Sequence, residues 1–192
     1  MLLKSMYKYL RSFRDDTRGS LMVETVITLP ILFWALTATY DLFELHRYKS
    51  VREKATFTIG DMISREQDYL TTTYIDNTKA LFDEITNDNG VNQIRISIVK
   101  YDQNIDKYKI SWSEVRGTGG LVALTDADVA NAHDRIPVLD HGKEVILIES
   151  NSVFHSLFNI GLKKDLRIDT RTFTTIRFAP QICLEGGNSC VI

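Results

Sequence analysis

The chain has 192 residues, 44% hydrophobic and 25% charged, with a net charge of −2. That is enough for one ordinary folded domain plus a membrane segment. The average hides an asymmetry: residues 1–19 carry Lys4, Lys8, Arg11, Arg14 and Arg18 against Asp15 and Asp16, a net +3 that leaves −5 for the rest. Five scattered cations are poor grounds for a nucleic-acid surface, and no nucleic-acid partner is expected. A short basic arm ahead of an apolar stretch is instead the positive-inside pattern, which predicts a cytoplasmic arm and a remainder outside the cytoplasm.

From Leu21 to Tyr40 run about twenty residues, roughly the length of a spanning helix, with Glu24 as the single charge. Thr25, Thr28, Thr37 and Thr39 make the span a modest one, but their hydroxyls can bond back to helix carbonyls. An acid in such a segment is costly unless something pairs with it. The helix dipole favours an acid in a first turn. A capping box does not fit, because Ser20 and Glu24 are four apart rather than three. Two other readings of the segment stand beside this one: a cleaved secretory signal and an ordinary signal anchor. The long basic region, the interruption at Glu24 and the want of a small-x-small site after the apolar run speak against the first.

Beyond the span, Leu45, Tyr48, Val51, Ala55, Ile59, Met62 and Ile63 recur at three- and four-residue steps, with Glu44, Arg47, Lys49, Arg52, Glu53 and Lys54 between them. This predicts an amphipathic continuation to Gln67, a single helix of roughly 48 residues and roughly 70 Å from Ser20. Pro30 inside it is expected to bend the rod or loosen a turn. A Thr-rich break at Thr71–Thr73 precedes a second helix, Tyr74 to Asn87, with Ile75, Thr78, Leu81, Phe82 and Ile85 on one side. Asn87-Asp88-Asn89-Gly90 stops it.

Ile94, Ile96 and Ile98 alternate with Arg95 and Ser97, a half-buried strand. After a turn at Tyr101–Asn104, Tyr108, Ile110 and Trp112 alternate with Lys109, Ser111 and Ser113, so the pair is expected to form a hairpin. Gly117-Thr118-Gly119-Gly120 reads as a bend, without the Lys of a phosphate loop. Thr125-Asp126-Ala127-Asp128 offers a capping box for a short helix ending before Pro137. Glu144 to Glu149 is apolar on both faces, an interior strand. Leu166 to Phe178 alternates with one polar face, a strand near a sheet edge. The division is a basic leader over 1–19, a transmembrane helix over 20–40, its amphipathic continuation over 41–70 and an exported α+β domain over 71–192.

The run from Arg18 to Leu32 resembles a type IV-type prepilin processing site, and within that class the TadE/TadG-like minor pilins (pseudopilins) of the tight-adherence (Tad/Flp) pilus system. That family has a Gly, a short apolar step, a Glu, an apolar run and a Pro; this chain has Gly19, Glu24 and Pro30 at matching spacing. Ile94 to Val115, with Trp112-Ser113, is similar to the family's periplasmic region. Thr25 stands where the family usually has an aromatic, and the length is too great for the major shaft pilin. The resemblance implies cleavage between Gly19 and Ser20, and pairing of Glu24 with the Ser20 amine of a neighbouring subunit. It also implies as partners other Tad pilins and pseudopilins, a prepilin peptidase and secretion-platform proteins.

Cys183 and Cys190 flank a Gly-rich turn, and if this end is exported a disulfide is the expected state; type IV-type pilins often close such a loop. A zinc site lacks further ligands nearby. His133-Asp134 and Asp140-His141 read as solvated loop, and Asp126 with Asp128 lacks the later ligands and the Gly of a calcium loop. No metal, no cofactor and no enzymatic activity are expected. The predicted protein is a single-pass bacterial inner-membrane minor pilin or pseudopilin of a Tad-type pilus, acting in pilus assembly and adhesion. Its first rival is a signal-anchored protein with a periplasmic α+β binding domain, and its second a periplasmic enzyme with a dispersed site.

Overall fold

Apolar residues at helical spacing carry one helix, α1, from Arg18 to Ser64. The structure, a computed structural model, describes residues 11–12, 14, 18–88, 92–158, 164–186 and 190; most of the basic leader lies outside them. At 1.5 Å per residue the 47 residues of α1 make a rod of about 70 Å. The helix runs unbroken through Pro30, although Pro30 supplies no N–H to the carbonyl four residues back. It closes at Ser64, three residues before Gln67. There Arg65 and Glu66 donate to the carbonyls of Met62 and Ile63 at 3.2 and 3.1 Å, and Ser64 O accepts from Arg177 N. These tighter three-residue bonds end the α-helical ladder.

The threonines expected to break the chain start the next helix. Thr71 Oγ1 accepts from Tyr74 N at 3.0 Å, an N-cap for α2, Thr72–Thr86. Asn87 ends it in the left-handed conformation, φ 49°. Ile75, Thr78, Phe82 and Thr86 face inward, while Leu81, expected on that side, is exposed.

The strands β1 (Asn92–Asp102), β2 (Lys107–Gly117), β3 (Glu144–His155) and β4 (Asp165–Thr175) form an antiparallel sheet in the order β2-β1-β3-β4. With the helices it makes an α+β fold. The helices cover one face, where Ala55, Ile59 and Ile63 of α1 and Phe82 of α2 meet Ile94, Ile96, Ile98, Ile146 and Ile148. The segment 118–142, with the one-turn helix α3 (Asp126–Val129), covers the other. There Val129, Ala132 and Ile136 close over Val99, Tyr101, Tyr108, Val145 and Leu147. This second layer corrects the half-buried reading of β1. The strand is interior and covered on both sides, so Arg95 and Ser97 are buried as well.

A second correction concerns β2. Ile98 faces Trp112 but Val99 faces Ile110, so the register slips by one residue at Ser111. Tyr108 and Ile110 therefore pack under α3, whereas Trp112 points to the helix side. Simple alternation puts all three on one face, and a bulge reverses it.

β3 runs past Glu149 through Ser150-Asn151-Ser152. Its small polar side chains are tolerated because they bond inside: Ser150 Oγ to Thr170 Oγ1 at 2.7 Å, beside Thr56 Oγ1 of α1 to Thr172 Oγ1 of β4 at 2.8 Å. β4 is the edge strand and stops at Thr175 rather than Phe178. α1 comes close to it at Gly60, where a Cβ would meet Thr174 Oγ1 at 2.5 Å and Ile148 Cδ1 at 3.4 Å. Gly60→Val therefore forces helix and sheet apart. It is expected to cost roughly 1–3 kcal/mol, read as a lowered denaturant midpoint of the detergent-solubilised chain.

Candidate functional site

The stretch of α1 from Met22 to Leu36 is exposed throughout. Its apolar side chains, among them Val26, Ile27, Leu32, Phe33, Trp34 and Leu36, are exposed, and the helix is long and apolar enough to cross a membrane. Thr28 Oγ1 donates to Glu24 O at 2.7 Å and Thr39 Oγ1 to Ala35 O at 2.8 Å. Thr37 Oγ1 lies within bonding reach of both Phe33 O and Trp34 O. The hydroxyls are thus satisfied within the helix, as a span requires.

Gly19, Ser20 and Glu24 follow one another in the opening turns of α1, with Pro30 further along the same rod. A Cβ at Gly19 would meet nothing within 4 Å. Neither packing nor backbone conformation of this chain asks for glycine there, although glycine in a helix costs about 0.5–1 kcal/mol relative to alanine. Glu24 is exposed, and among the described residues no side chain pairs with it.

The folded domain takes hold of α1 at Asp41, which with Thr37 is the first buried position among the described residues of the helix. Asp41 Oδ2 accepts from Ser156 Oγ at 2.6 Å, and Tyr40 meets Phe158 edge-on with ring centroids 6.3 Å apart. Three turns on, Arg52, expected among the solvated residues, is 1% exposed. It lies over the Tyr48 ring, pairs with Asp88 and donates to Tyr48 O. Tyr48 in turn donates to Val153 O at 3.0 Å. Burial pulls the Arg52 guanidinium down and pushes the Tyr48 hydroxyl up. The group ties α1 to the end of α2 and to β3.

A second polar group lies on the sheet face away from the helices. Arg95, Glu149 and Arg171 are direct neighbours across β1, β3 and β4. Glu149 accepts from Arg171 Nε at 2.9 Å and from Arg95 through Nε at 2.8 Å and through Nη2, while Arg95 Nη1 donates to Val122 O at 2.6 Å. With Arg167 and Asp169 they line a depression of about 410 Å³. The bend Gly117–Gly120 straps across its upper edge. A Cβ at Gly120 would run into the Arg167 guanidinium and one at Gly119 into Gln93 Oε1 at 2.6 Å. Sequence alternation does not reveal this cluster, because its members come together only through the strand register.

The histidines and aspartates of the loops are committed locally. Asp126 Oδ1 accepts from Ile110 N at 2.7 Å, and Asp128 Oδ2 accepts from both the N–H and the hydroxyl of Thr125. Asp106 Oδ1 accepts from Tyr101 at 2.6 Å and lies 2.9 Å from His133 Nε2, while Gln103 N donates to His141 Nδ1. Among the described residues no cluster of three His, Cys, Asp or Glu could hold a metal ion.

Cys183 and Cys190 stand at disulfide distance, with Cα atoms 5.8 Å apart. The strand-like segment before them is stitched down: Leu70 N donates to Cys183 O at 2.8 Å, Glu185 N to Leu70 O at 2.9 Å, and Trp112 Nε1 to Ile182 O at 2.8 Å. The chain matches no protein-family model, no curated protein and no solved structure.

Replacing both cysteines by alanine is expected to lower stability by about 2.5 kcal/mol, the chain-entropy value for so short a loop, read as a shift in denaturant midpoint. A pH dependence follows from the carboxylates. The Lys109 hydrogen bond holds Asp102 below the ordinary range, and the Tyr101 hydrogen bond, with His133 second, does the same for Asp106. The same bond pushes the Tyr101 hydroxyl up to about 12. A folded value below the unfolded one, about 3.9, gives stability that is complete above that pH and is lost as pH falls through the folded value. The thermal midpoint should therefore be level from neutral pH down to about 5 and drop below about 4. In Asp106→Asn the drop should be shallower.

Proposed function

We propose that this chain is a minor pilin or pseudopilin of a Tad-type pilus, cut between Gly19 and Ser20 by a prepilin peptidase and assembled through α1. The observation that carries the reading is the state of α1 from Met22 to Leu36: apolar and exposed, with one acid, Glu24, that has no partner among the described residues, just past a glycine whose place leaves room for a Cβ. After cleavage the Ser20 amine would carry a positive charge. In an assembly of parallel rods, Glu24 of one subunit pairs with the Ser20 amine of the next, each offsetting the other's burial and so fixing the axial register. The partners are other Tad pilins and pseudopilins, the peptidase and the secretion platform. The setting is a bacterial inner membrane, with the leader cytoplasmic and the α+β domain periplasmic, and the work is assembly and adhesion rather than catalysis.

A second reading has its own observation. The arginine-rimmed depression on the outer sheet face suits a signal-anchored protein whose periplasmic domain binds a ligand. The two separate at the N-terminus. Mass spectrometry of the N-terminal peptide from native membranes is expected to find a chain starting at Ser20; a chain still starting at Met1 overturns the pilin reading in favour of the anchor. A start beyond Tyr40 overturns both and makes the protein a secreted domain. In the same membranes Glu24→Gln should still be cut but should enter filaments roughly tenfold less well or worse, because the partner amine is left buried and unpaired.

A further inference from the structure

We propose that Leu157 and Phe158, just past the end of β3, form a second membrane contact, resting in the interfacial layer of the leaflet from which α1 emerges. The inference rests on α1 spanning a bilayer and is independent of processing at Gly19. Its basis is height along the rod. The apolar run ends at Tyr40, and the chain just past β3 is fastened at that level: Ser156 Oγ to Asp41 Oδ2 at 2.6 Å, and the Phe158 ring against the Tyr40 ring. A bilayer that covers the exposed apolar surface of α1 up to Tyr40 thus also meets Leu157 and Phe158.

The side chains there suit that layer. Leu157 is 73% exposed and Phe158 39% exposed, and they lie beside Tyr40, itself half exposed at the end of the apolar run. Tyr40 and Phe158 together place aromatic rings at the polar–apolar boundary, where ring side chains with one wet edge are favoured. Lys164, exposed where the chain re-enters β4, can keep its ammonium among headgroups while its stem lies on apolar surface. The patch is continuous with the lipid-facing surface of α1, which assigns it to lipid rather than to a separate partner. Two contacts, one spanning and one resting, set the tilt of the domain on the membrane.

The test uses the full chain in phosphatidylcholine vesicles, labelled with an environment-sensitive fluorophore at Leu157→Cys, or at Phe158→Cys as a second position. Phe33→Cys within the span and Val122→Cys on the outer-face strap serve as references. Nitroxide lipids spin-labelled at the headgroup or deep in the acyl chain act as quenchers. The expected result is that position 157 or 158 is quenched by the headgroup nitroxide several-fold more than position 122, with blue-shifted emission, while position 33 answers to the deep nitroxide. Quenching at 157 and 158 no greater than at 122, with 33 still quenched, overturns the proposal and leaves the span intact. Protection of 157 from aqueous iodide without nitroxide quenching, growing with protein density, means that a second copy covers the patch and also overturns it. Position 33 failing to answer to any nitroxide lipid overturns the span itself.

Discussion

Ala55, Ile59 and Ile63 lie on one stripe of α1 and close the core between the sheet and α2. The same helix, without a break, carries the exposed apolar run that ends at Tyr40. A continuous α-helix transmits position and rotation along its length, so the rod that seals the core also fixes where the sheet sits relative to the apolar half. The contact at Gly60 and the Thr56–Thr172 bond press that rod onto the edge strand. The group of Tyr48, Arg52 and Asp88 locks its rotation about the axis. A buried guanidinium is expensive unless it is paired and bonded, so this group tolerates one seating of α1 and penalises others.

The sheet needs two covers because β1 is interior and apolar on one face and mixed on the other. The helix side is a conventional isoleucine core. The far side is divided: its lower part is apolar and closed by α3 and the residues after it, while its upper part holds Arg95, Glu149 and Arg171 in register. There Glu149 bonds both arginines across three strands, and Val122, just past the Gly117–Gly120 strap, supplies a carbonyl to Arg95. The glycines of that strap are explained by close approach rather than by phosphate binding.

Function, in the reading advanced above, collects at the two ends of the apolar run. At its start Gly19, with room for a Cβ, precedes Glu24, an acid without a partner among the described residues. At its end Ser156 and Phe158, just past β3, grip the helix, and Leu157 is turned outward. Both features leave the domain's interior untouched, which is why they can serve a membrane or an assembly without competing with the fold.

The helical periodicity of α1, the strands Ile94–Ile98 and Glu144–Glu149, the edge character of Leu166–Thr175 and the α+β class were legible in the amino-acid order alone, because each rests on local hydrophobic spacing. Tertiary structure decided the rest. The bulge at Ser111 reversed the faces of Tyr108 and Trp112, which alternation alone assigns to one side. Arg52, spaced like a solvated residue, was drawn inward by a ring one turn away and an acid at the end of α2. Arg95 became a core residue only when the register set Glu149 opposite it. Local periodicity reports which face of an element is apolar; only the folded chain determines what stands opposite that face, and an opposing charge or an inserted residue can reverse the assignment.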